Sequence, residues 1–173
     1  MKVAFVTECD YRAISETGVY DLIVFPFYIG KPVNYFTEIK GETNFFRTLA
    51  NLSKSLKSTI IAGVDTDSYG KIRHSVAVMA GGKLLNICDM NSTRAGDGYT
   101  AGAELSVCRD GKRKIGIIVG NDIYSGECVK TLALSGAEII VNVADPVTSA
   151  LRGVFARARA YEYGVPVAVC AHK

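Results

Sequence analysis

The chain has 173 residues, of which 49% are hydrophobic, and a formal net charge of +3. This length and composition predict a single globular domain over residues 1–173, with a core large enough to fold without disulfide bonds. The small charge, with no basic stripe interleaved with aromatic residues, argues against nucleic acid as a partner. No apolar segment has the form of a signal peptide or a transmembrane helix, which argues against a membrane protein.

Cysteine and histidine usage provides no framework for disulfides or metals. The five cysteines are odd in number and scattered, without a CxxC motif: Cys9, Cys88, Cys108, Cys128 and Cys170. The two histidines, His74 and His172, lie far apart in the sequence. This pattern indicates reduced thiols in a cytoplasmic protein with no metal site and no cofactor.

The first half of the sequence alternates strands with helical or irregular segments, as in α/β proteins. Buried apolar runs predict three strands, at residues 2–6, 21–25 and 58–64. The second strand is predicted to end at Pro26. Residues 27–40 contain Gly30 and Pro32 and are predicted to form a loop. An amphipathic helix is predicted over residues 43–57.

The second half begins with two hairpins. Gly81 and Gly82 predict a tight turn in the first hairpin, and a second turn is predicted around residues 109–112. The four hairpin strands are predicted at residues 74–80, 83–88, 105–108 and 114–119. Between the hairpins, residues 89–103 form a long polar loop, which is typical of functional or mobile segments.

Residues 114–142 predict a strand, a sharp turn, a helix and a second strand. Ser125 is the predicted N-cap of the helix, and Gly136 is predicted to follow its last turn. The strand-to-helix turn of such a unit lies at the carboxyl edge of a sheet, where α/β proteins place reactive groups. This chain has Gly120 there, which carries no nucleophile.

A long helix over residues 147–163 and a strand over residues 166–171 complete the sequence. The helix is predicted to face the core with one set of residues: Val147, Ala150, Leu151, Val154, Phe155, Ala158 and Tyr161 or Glu162. Arg152, Arg157 and Arg159 are interpreted as members of salt bridges along the helix surface, at least one of them with Glu162 or a neighbouring carboxylate.

Five regions, in matching order and spacing, resemble the nitrilase (carbon–nitrogen hydrolase) superfamily over nearly the whole chain. They are residues 21–26 (DLIVFP), 82–90 (GKLLNICDM), 99–102 (YTAG) with 111–122 (GKRKIGIIVGND), 132–142 (LALSGAEIIVN) and 157–162 (RARAYE). The resemblance implies an α/β fold, the α-β-β-α sandwich with mixed sheets, here shortened at its carboxyl end. It also implies a homo-oligomer paired across the long helices, which agrees with the rule that open strand edges are normally covered.

The resemblance also locates the family's catalytic triad of a glutamate base, a lysine that stabilises the oxyanion and a cysteine nucleophile. The matching positions hold Phe27, Met90 and Gly120. Attack on an amide or nitrile needs a thiolate, a proton acceptor and a cation near the developing oxyanion, and these residues supply none of them. The sequence therefore predicts that the family mechanism is lost. The former pocket is predicted to be apolar, and either admits a small apolar ligand or is filled by Phe27.

Cys128 is the best remaining candidate nucleophile. It is at about the third position of the helix that begins after Ser125, where the helix dipole can lower a thiol pKa. Asp122 or Glu127 could act as its base, although their negative charges oppose that lowering. The ordinary interpretation is a first-turn cysteine packed against the sheet.

Other polar residues have structural interpretations. His74 is interpreted as a partly buried histidine with its hydrogen bonds satisfied, and Cys9 as a structural residue after the first strand. Arg94, Asp97 and Tyr99 belong to the long loop, which in the family borders the pocket. They could contact a ligand, but a solvated loop is the ordinary interpretation.

These observations favour a catalytically inactive nitrilase-like protein that acts as a homo-oligomeric small-ligand-binding or regulatory protein. The alternative is an active amide C–N hydrolase or acyl transferase that uses Cys128 with Asp122 or Glu127. A third interpretation is a structural subunit that pairs with a full-length relative through its open strand edges.

Overall fold

Two mixed β-sheets lie face to face in the computed structural model, which describes residues 1–8, 10–11, 14, 17–145 and 150–172. The first sheet has the order β1-β2-β4-β5-β6, with β3 paired to β4. Its strands are β1 Val3–Phe5, β2 Leu22–Phe27, β3 Val33–Asn34, β4 Thr59–Ser68, β5 Lys71–Ala80 and β6 Lys83–Asp89. The second sheet has the order β10-β9-β8-β7. Its strands are β7 Val107–Arg109, β8 Lys114–Val119, β9 Ile139–Val143 and β10 Val167–Cys170.

Helices cover the outer face of each sheet. The helices are α1 Tyr35–Lys40, α2 Phe45–Leu56, α3 Gly126–Leu134 and α4 Ala150–Tyr163, with a 3₁₀ turn at Gly120–Tyr124. One apolar cluster fills the space between the sheets, a second lies under α2, and a third lies under α3 and α4. This arrangement confirms the predicted α-β-β-α sandwich with mixed sheets. None of the described helices is long and apolar enough to cross a membrane.

The predicted loop over residues 27–40 is wrong in three places, one of which is β3 at Val33–Asn34. Pro26 does not end the second strand, because it lies at a shift in the register with β4 between Phe25 and Phe27, and bulges are positions where strands tolerate proline. Residues Tyr35–Lys40 form α1. Asn34 caps that helix through its side-chain oxygen, which accepts the N–H groups of Phe36 and Thr37.

The predicted inner face of the long helix is confirmed for Phe155, which packs against the cluster under α3 and α4, but it is wrong for three of the other residues. Leu151, Val154 and Tyr161 are exposed by 60%, 51% and 93%. The inward side of α4 also carries arginines that reach backbone carbonyls. Arg152 Nη1 donates to Asp145 O at 3.4 Å, and Arg159 Nη2 donates to Tyr124 O at 3.0 Å. The predicted salt bridge to Glu162 is confirmed, at 2.8 Å from Arg159 Nη1. The predicted helix start at residue 147 lies outside the described residues.

The predicted central unit is confirmed, with one refinement. β8 leads into the 3₁₀ turn, α3 follows with Ser125 at its N-cap, and β9 pairs in parallel with β8. Gly136 follows α3 with a φ of +85°, the left-handed conformation that favours glycine after a helix. This unit brings the end of β8 beside the ends of the strands of the first sheet.

Candidate functional site

Phe27, Met90 and Gly120 meet around His74 at one end of the sandwich. Each of the three comes at or just after the end of a strand: β2, β6 and β8 respectively. All three are buried. A Cβ atom at Gly120 would lie 2.9 Å from Met90 Sδ and 3.2 Å from His74 Cδ2. The structure therefore brings together the three residues that the sequence placed at the family's triad positions.

The ring of Phe27 fills space beside His74. The two rings are stacked, with centroids 3.6 Å apart and an interplanar angle of 15°. Gly63 on β4 makes room for this ring, because a Cβ atom there would lie 2.7 Å from Phe27 Cγ. Of the two possibilities left by the sequence, the structure has Phe27 itself packed into the site. An isolated glycine within an apolar strand often marks a close approach of another group, so Gly63 is the feature of the sequence that could have predicted this packing.

His74 lies between two carboxylates. Its Nδ1 is 2.6 Å from Asp65 Oδ1, and its Nε2 is 2.8 Å from Asp145 Oδ1. The contact between His74 Nε2 and Asp145 is an ion pair that does not have the geometry of a hydrogen bond. Tyr99 donates its hydroxyl hydrogen to Asp65 Oδ2 at 3.1 Å. The interpretation of His74 as a buried, hydrogen-bonded histidine is confirmed for Nδ1, whereas Nε2 has only the charge contact with Asp145.

The charges around His74 favour the imidazolium form. Burial lowers the pKa of His74, but the contacts with Asp145 and Asp65 more than offset burial, so the pKa is raised above 6.5. The same contact with His74 lowers the pKa of Asp145 below 3.8. Burial and the negative charge of Asp65 raise the pKa of Tyr99 to about 12. The two carboxylates therefore favour protonation of His74, and both of its ring nitrogens face them.

Asp122 holds the loop that follows β6. Its carboxylate is buried and accepts the backbone N–H groups of Asn91 at 3.0 Å and Ser92 at 2.7 Å. A longer bond of 3.3 Å comes from the N–H of Val119. Burial raises the pKa of Asp122, although these N–H groups act in the opposite direction. Asp122 thereby fixes the position of Met90 relative to the 3₁₀ turn.

Cys128 is the third residue of α3, as predicted, but its surroundings differ from those of an activated thiol. It is 6% exposed and packs in the cluster under α3 and α4. Burial raises its pKa, with the charge of Asp122 acting in the same direction. Glu127 extends into solvent, with its Oε1 3.6 Å from Lys130 Nζ. Among the described contacts, neither carboxylate is hydrogen-bonded to the thiol.

The long loop contributes both to the site and to a neighbouring cleft. Tyr99 contacts Asp65, whereas Asp97 accepts the backbone N–H of Arg94 at 3.0 Å and stabilises the loop. The cleft, of about 610 Å³, lies beside the site. Its described lining residues are Arg94, Asn121, Tyr124, Asp145, Leu151, Arg152 and Phe155.

Several functional residues were missed by the sequence analysis. Asp65 and Asp145 were not recognised as partners of His74, because strand pairing and the contact between sheets bring them together from distant positions. Arg152 was interpreted as a surface residue of the helix, yet it is buried. Cys9 lies outside the described residues. Among the residues that the structure describes, no group of three His, Cys, Asp or Glu side chains is placed to hold a metal ion.

The profile of the carbon-nitrogen hydrolase family matches residues 7–173, which is nearly the whole chain. The chain belongs to the carbon–nitrogen hydrolase family. No curated protein matches it in sequence.

Solved structures of the nitrilase superfamily share its fold. Nit3 of Saccharomyces cerevisiae matches with a TM-score of 0.81 and 19% identity, over 99% of this chain and 75% of that one. A carbon-nitrogen hydrolase from Helicobacter pylori G27 matches with a TM-score of 0.72 and 18% identity, over 87% and 60%. An amidase from Nesterenkonia sp. matches with a TM-score of 0.73 and 16% identity, over 89% and 64%. The present chain thus spans between 60% and 75% of the length of these three proteins.

Proposed function

We propose that this carbon–nitrogen hydrolase family member is catalytically inactive and acts in the cytoplasm as a homo-oligomeric small-ligand-binding or regulatory protein. The observation that carries the proposal is the packing of the Phe27 ring on His74, where the resemblance places the catalytic glutamate. Met90 and Gly120 occupy the two other positions beside it. A variant of the Nesterenkonia amidase carries a covalent adduct on its active-site cysteine. This chain has a glycine at the position that the resemblance assigns to that cysteine.

The chemistry of the site supports the same proposal. Amide hydrolysis by covalent catalysis needs a nucleophile with a base within hydrogen-bond reach. Both ring nitrogens of His74 face the carboxylates of Asp65 and Asp145, so neither nitrogen is placed to take a proton from a thiol or from water. Asp122 is engaged by backbone N–H groups. The polar groups nearest to Gly120 therefore stabilise the fold and are not available as a general base.

The alternative is an amide C–N hydrolase or acyl transferase that uses Cys128. One observation favours it: Cys128 is in the first turn of α3, where unpaired N–H groups stabilise a thiolate. The burial of the thiol and its raised pKa oppose this alternative, and Glu127 faces solvent. We therefore place it second.

The oligomer is supported by the outer face of α4. Leu151, Val154 and Tyr161 lie along one side of that helix and are exposed. Exposed apolar patches of this kind mark interaction sites in soluble proteins. We propose that two copies of the chain bury this face against each other.

Ammonia release tests the proposed loss of activity. The wild type and Cys128→Ala would be assayed with a panel of short amides that includes butyramide, which a variant of the Nesterenkonia amidase binds. We expect no release above the buffer rate from either protein. Release by the wild type that is lost in Cys128→Ala would establish the alternative. Release by both proteins would show that another residue is the nucleophile.

A further inference from the structure

Arg152 is a buried cation on the wall of the cleft beside the site. It is 5% exposed, although it lies in the first turns of a surface helix. Its Nη1 makes a long bond of 3.4 Å to the carbonyl oxygen of Asp145. Its Nε is buried and has no hydrogen-bond partner among the described residues. A buried guanidinium donor without a partner is costly, so its presence points to a ligand that accepts this hydrogen bond.

The described lining of the cleft carries two arginines and one carboxylate. Asp145 is the one acidic side chain among the described lining residues, and its Oδ1 is already paired with His74. Arg94 lies exposed at the rim of the cleft and makes no ion pair among the described residues. Two guanidinium groups therefore face a space with one described acid, Asp145, whose carboxylate is shared between His74 and Arg152. Such a space attracts an anion.

The remaining walls give the ligand an apolar side. Phe155 and Leu151 of α4 line the cleft together with Tyr124. A second lobe of about 330 Å³ adjoins the cleft and shares Arg94, Asn121 and Tyr124 with it. The volume of the cleft, about 610 Å³, is in the range of small-molecule sites, which combine apolar walls with a few polar groups.

We propose that this cleft binds a small monocarboxylate. Its carboxylate accepts hydrogen bonds from Arg152 and Arg94, and its short apolar tail lies on Phe155 and Leu151. A carboxylate fits this site because its two oxygens match the planar guanidinium group of arginine. An inorganic anion has no apolar part that could pack against the apolar wall. The inference rests on the proposed function, since it names the ligand class of the proposed binding protein.

Calorimetric titration of the full chain tests the ligand class, with butyrate, butyramide and inorganic phosphate as probes. Butyramide has nearly the shape of butyrate but no charge. We expect butyrate to bind, and butyramide and phosphate to bind at least about tenfold more weakly, since a charge-assisted hydrogen bond contributes roughly that factor or more. Equal binding of butyramide would overturn the proposal, as would equal binding of phosphate or no binding of butyrate.

Variants test the two arginines. Arg152→Met and Arg94→Met should each weaken butyrate binding about tenfold. Arg157→Met is the matched control, because Arg157 is exposed on the same helix and does not line the cleft. Circular dichroism checks that Arg152→Met folds. If it does not fold, the test rests on Arg94→Met, because Arg94 is exposed and its replacement leaves the fold intact. Unchanged affinity in a folded arginine variant would overturn the proposed contact with that arginine.

The same samples distinguish this inference from the proposed function. Ammonia release in the butyramide titration would contradict the proposed loss of hydrolase activity, whatever the affinity for butyrate. Absence of both butyrate binding and ammonia release would refute the carboxylate ligand alone and would leave the proposed inactivity in place.

Discussion

The imidazole of His74 is covered on one face by the ring of Phe27, at a centroid separation of 3.6 Å. Asp65 and Asp145 hold the edges of the same imidazole through its two nitrogens. His74 is thus confined from three sides by residues of β2, of β4 and of the segment after β9. An acid–base residue needs a free nitrogen at the reacting atoms, and this histidine has none.

The contacts of protonated His74 with Asp65 and Asp145 predict that the stability of the fold depends on pH. The pKa of His74 in the folded protein is raised above its ordinary value of 6.5. Its contribution is therefore fully present below about 6.5 and is lost as the pH rises through the folded pKa. The pKa of Asp145 is lowered below 3.8, so its contribution is present above about 3.8 and is lost as the pH falls through its folded value. We expect the free energy of unfolding in urea to fall as the pH rises above about 6.5.

His74→Gln is the control for this prediction. It should lower the free energy of unfolding by about 1–3 kcal/mol at pH 6, because two carboxylates lose their shared cation. It should also flatten the decline above pH 6.5, while the contributions of other groups remain. An equal slope in the wild type and His74→Gln would show that His74 is not the titrating group.

The close packing around Gly120 predicts that any side chain at this position destabilises the fold. Its φ is +49°, and a Cβ atom would lie 2.9 Å from Met90 Sδ. We expect Gly120→Ala to lower the free energy of unfolding by at least about 2 kcal/mol, from backbone strain and overpacking together. Thermal or urea unfolding measures this loss.

Gly81→Ala is the matched control for Gly120→Ala. Gly81 has a similar φ of +58°, and a Cβ atom there would meet no other atom within 4 Å. It should lose only the backbone part, about 1 kcal/mol. Equal losses of unfolding free energy in the two variants would mean that Met90 moves aside at little cost and that the site is not tightly packed at this point.

The environment of Cys128 predicts slow thiol chemistry. Its thiol is buried and has a raised pKa, so little thiolate is present at pH 8. We expect iodoacetamide to modify Cys128 at least about tenfold more slowly in the folded protein than in 6 M urea, as followed by peptide mass spectrometry. A rate in the folded protein above that in urea would indicate an activated thiol and would favour the alternative function.

The outer face of α4 predicts the site of self-association. Val154→Glu places a charge in the proposed interface and should convert the oligomer to monomers at micromolar concentration, as measured by light scattering after size-exclusion chromatography. Leu134→Glu is the control, since Leu134 is 80% exposed at the end of α3, away from that face. A monomeric wild type, or an oligomer unaffected by Val154→Glu, would contradict the proposed interface.

The sequence was sufficient for most of the fold because its signals were local. Gly81 and Gly82 predicted a hairpin, and the apolar run from Ile115 to Val119 predicted the central strand. The wrong inner face of α4 has a physical cause. Arg152 and Arg159 occupy inward positions and donate to backbone carbonyls, and apolar periodicity alone cannot foresee this.

The site was only partly predictable for a similar reason. Phe27, Met90 and Gly120 could be identified because each stands in a recognisable motif. The partners of His74 could not, because Asp65 reaches it through strand pairing and Asp145 through the packing of one sheet on the other. No motif or spacing in a single sequence encodes those two contacts.

Trapping of an acyl-enzyme tests the central claim of lost hydrolase chemistry most directly. The wild type and Cys128→Ala would be incubated with amides, nitriles and esters, with and without hydroxylamine, and intact mass and hydroxamate would be recorded. We predict an unchanged mass and no hydroxamate for both proteins. An acyl adduct on the wild type, with hydroxamate formation that disappears in Cys128→Ala, would contradict the claim and identify Cys128 as a relocated nucleophile.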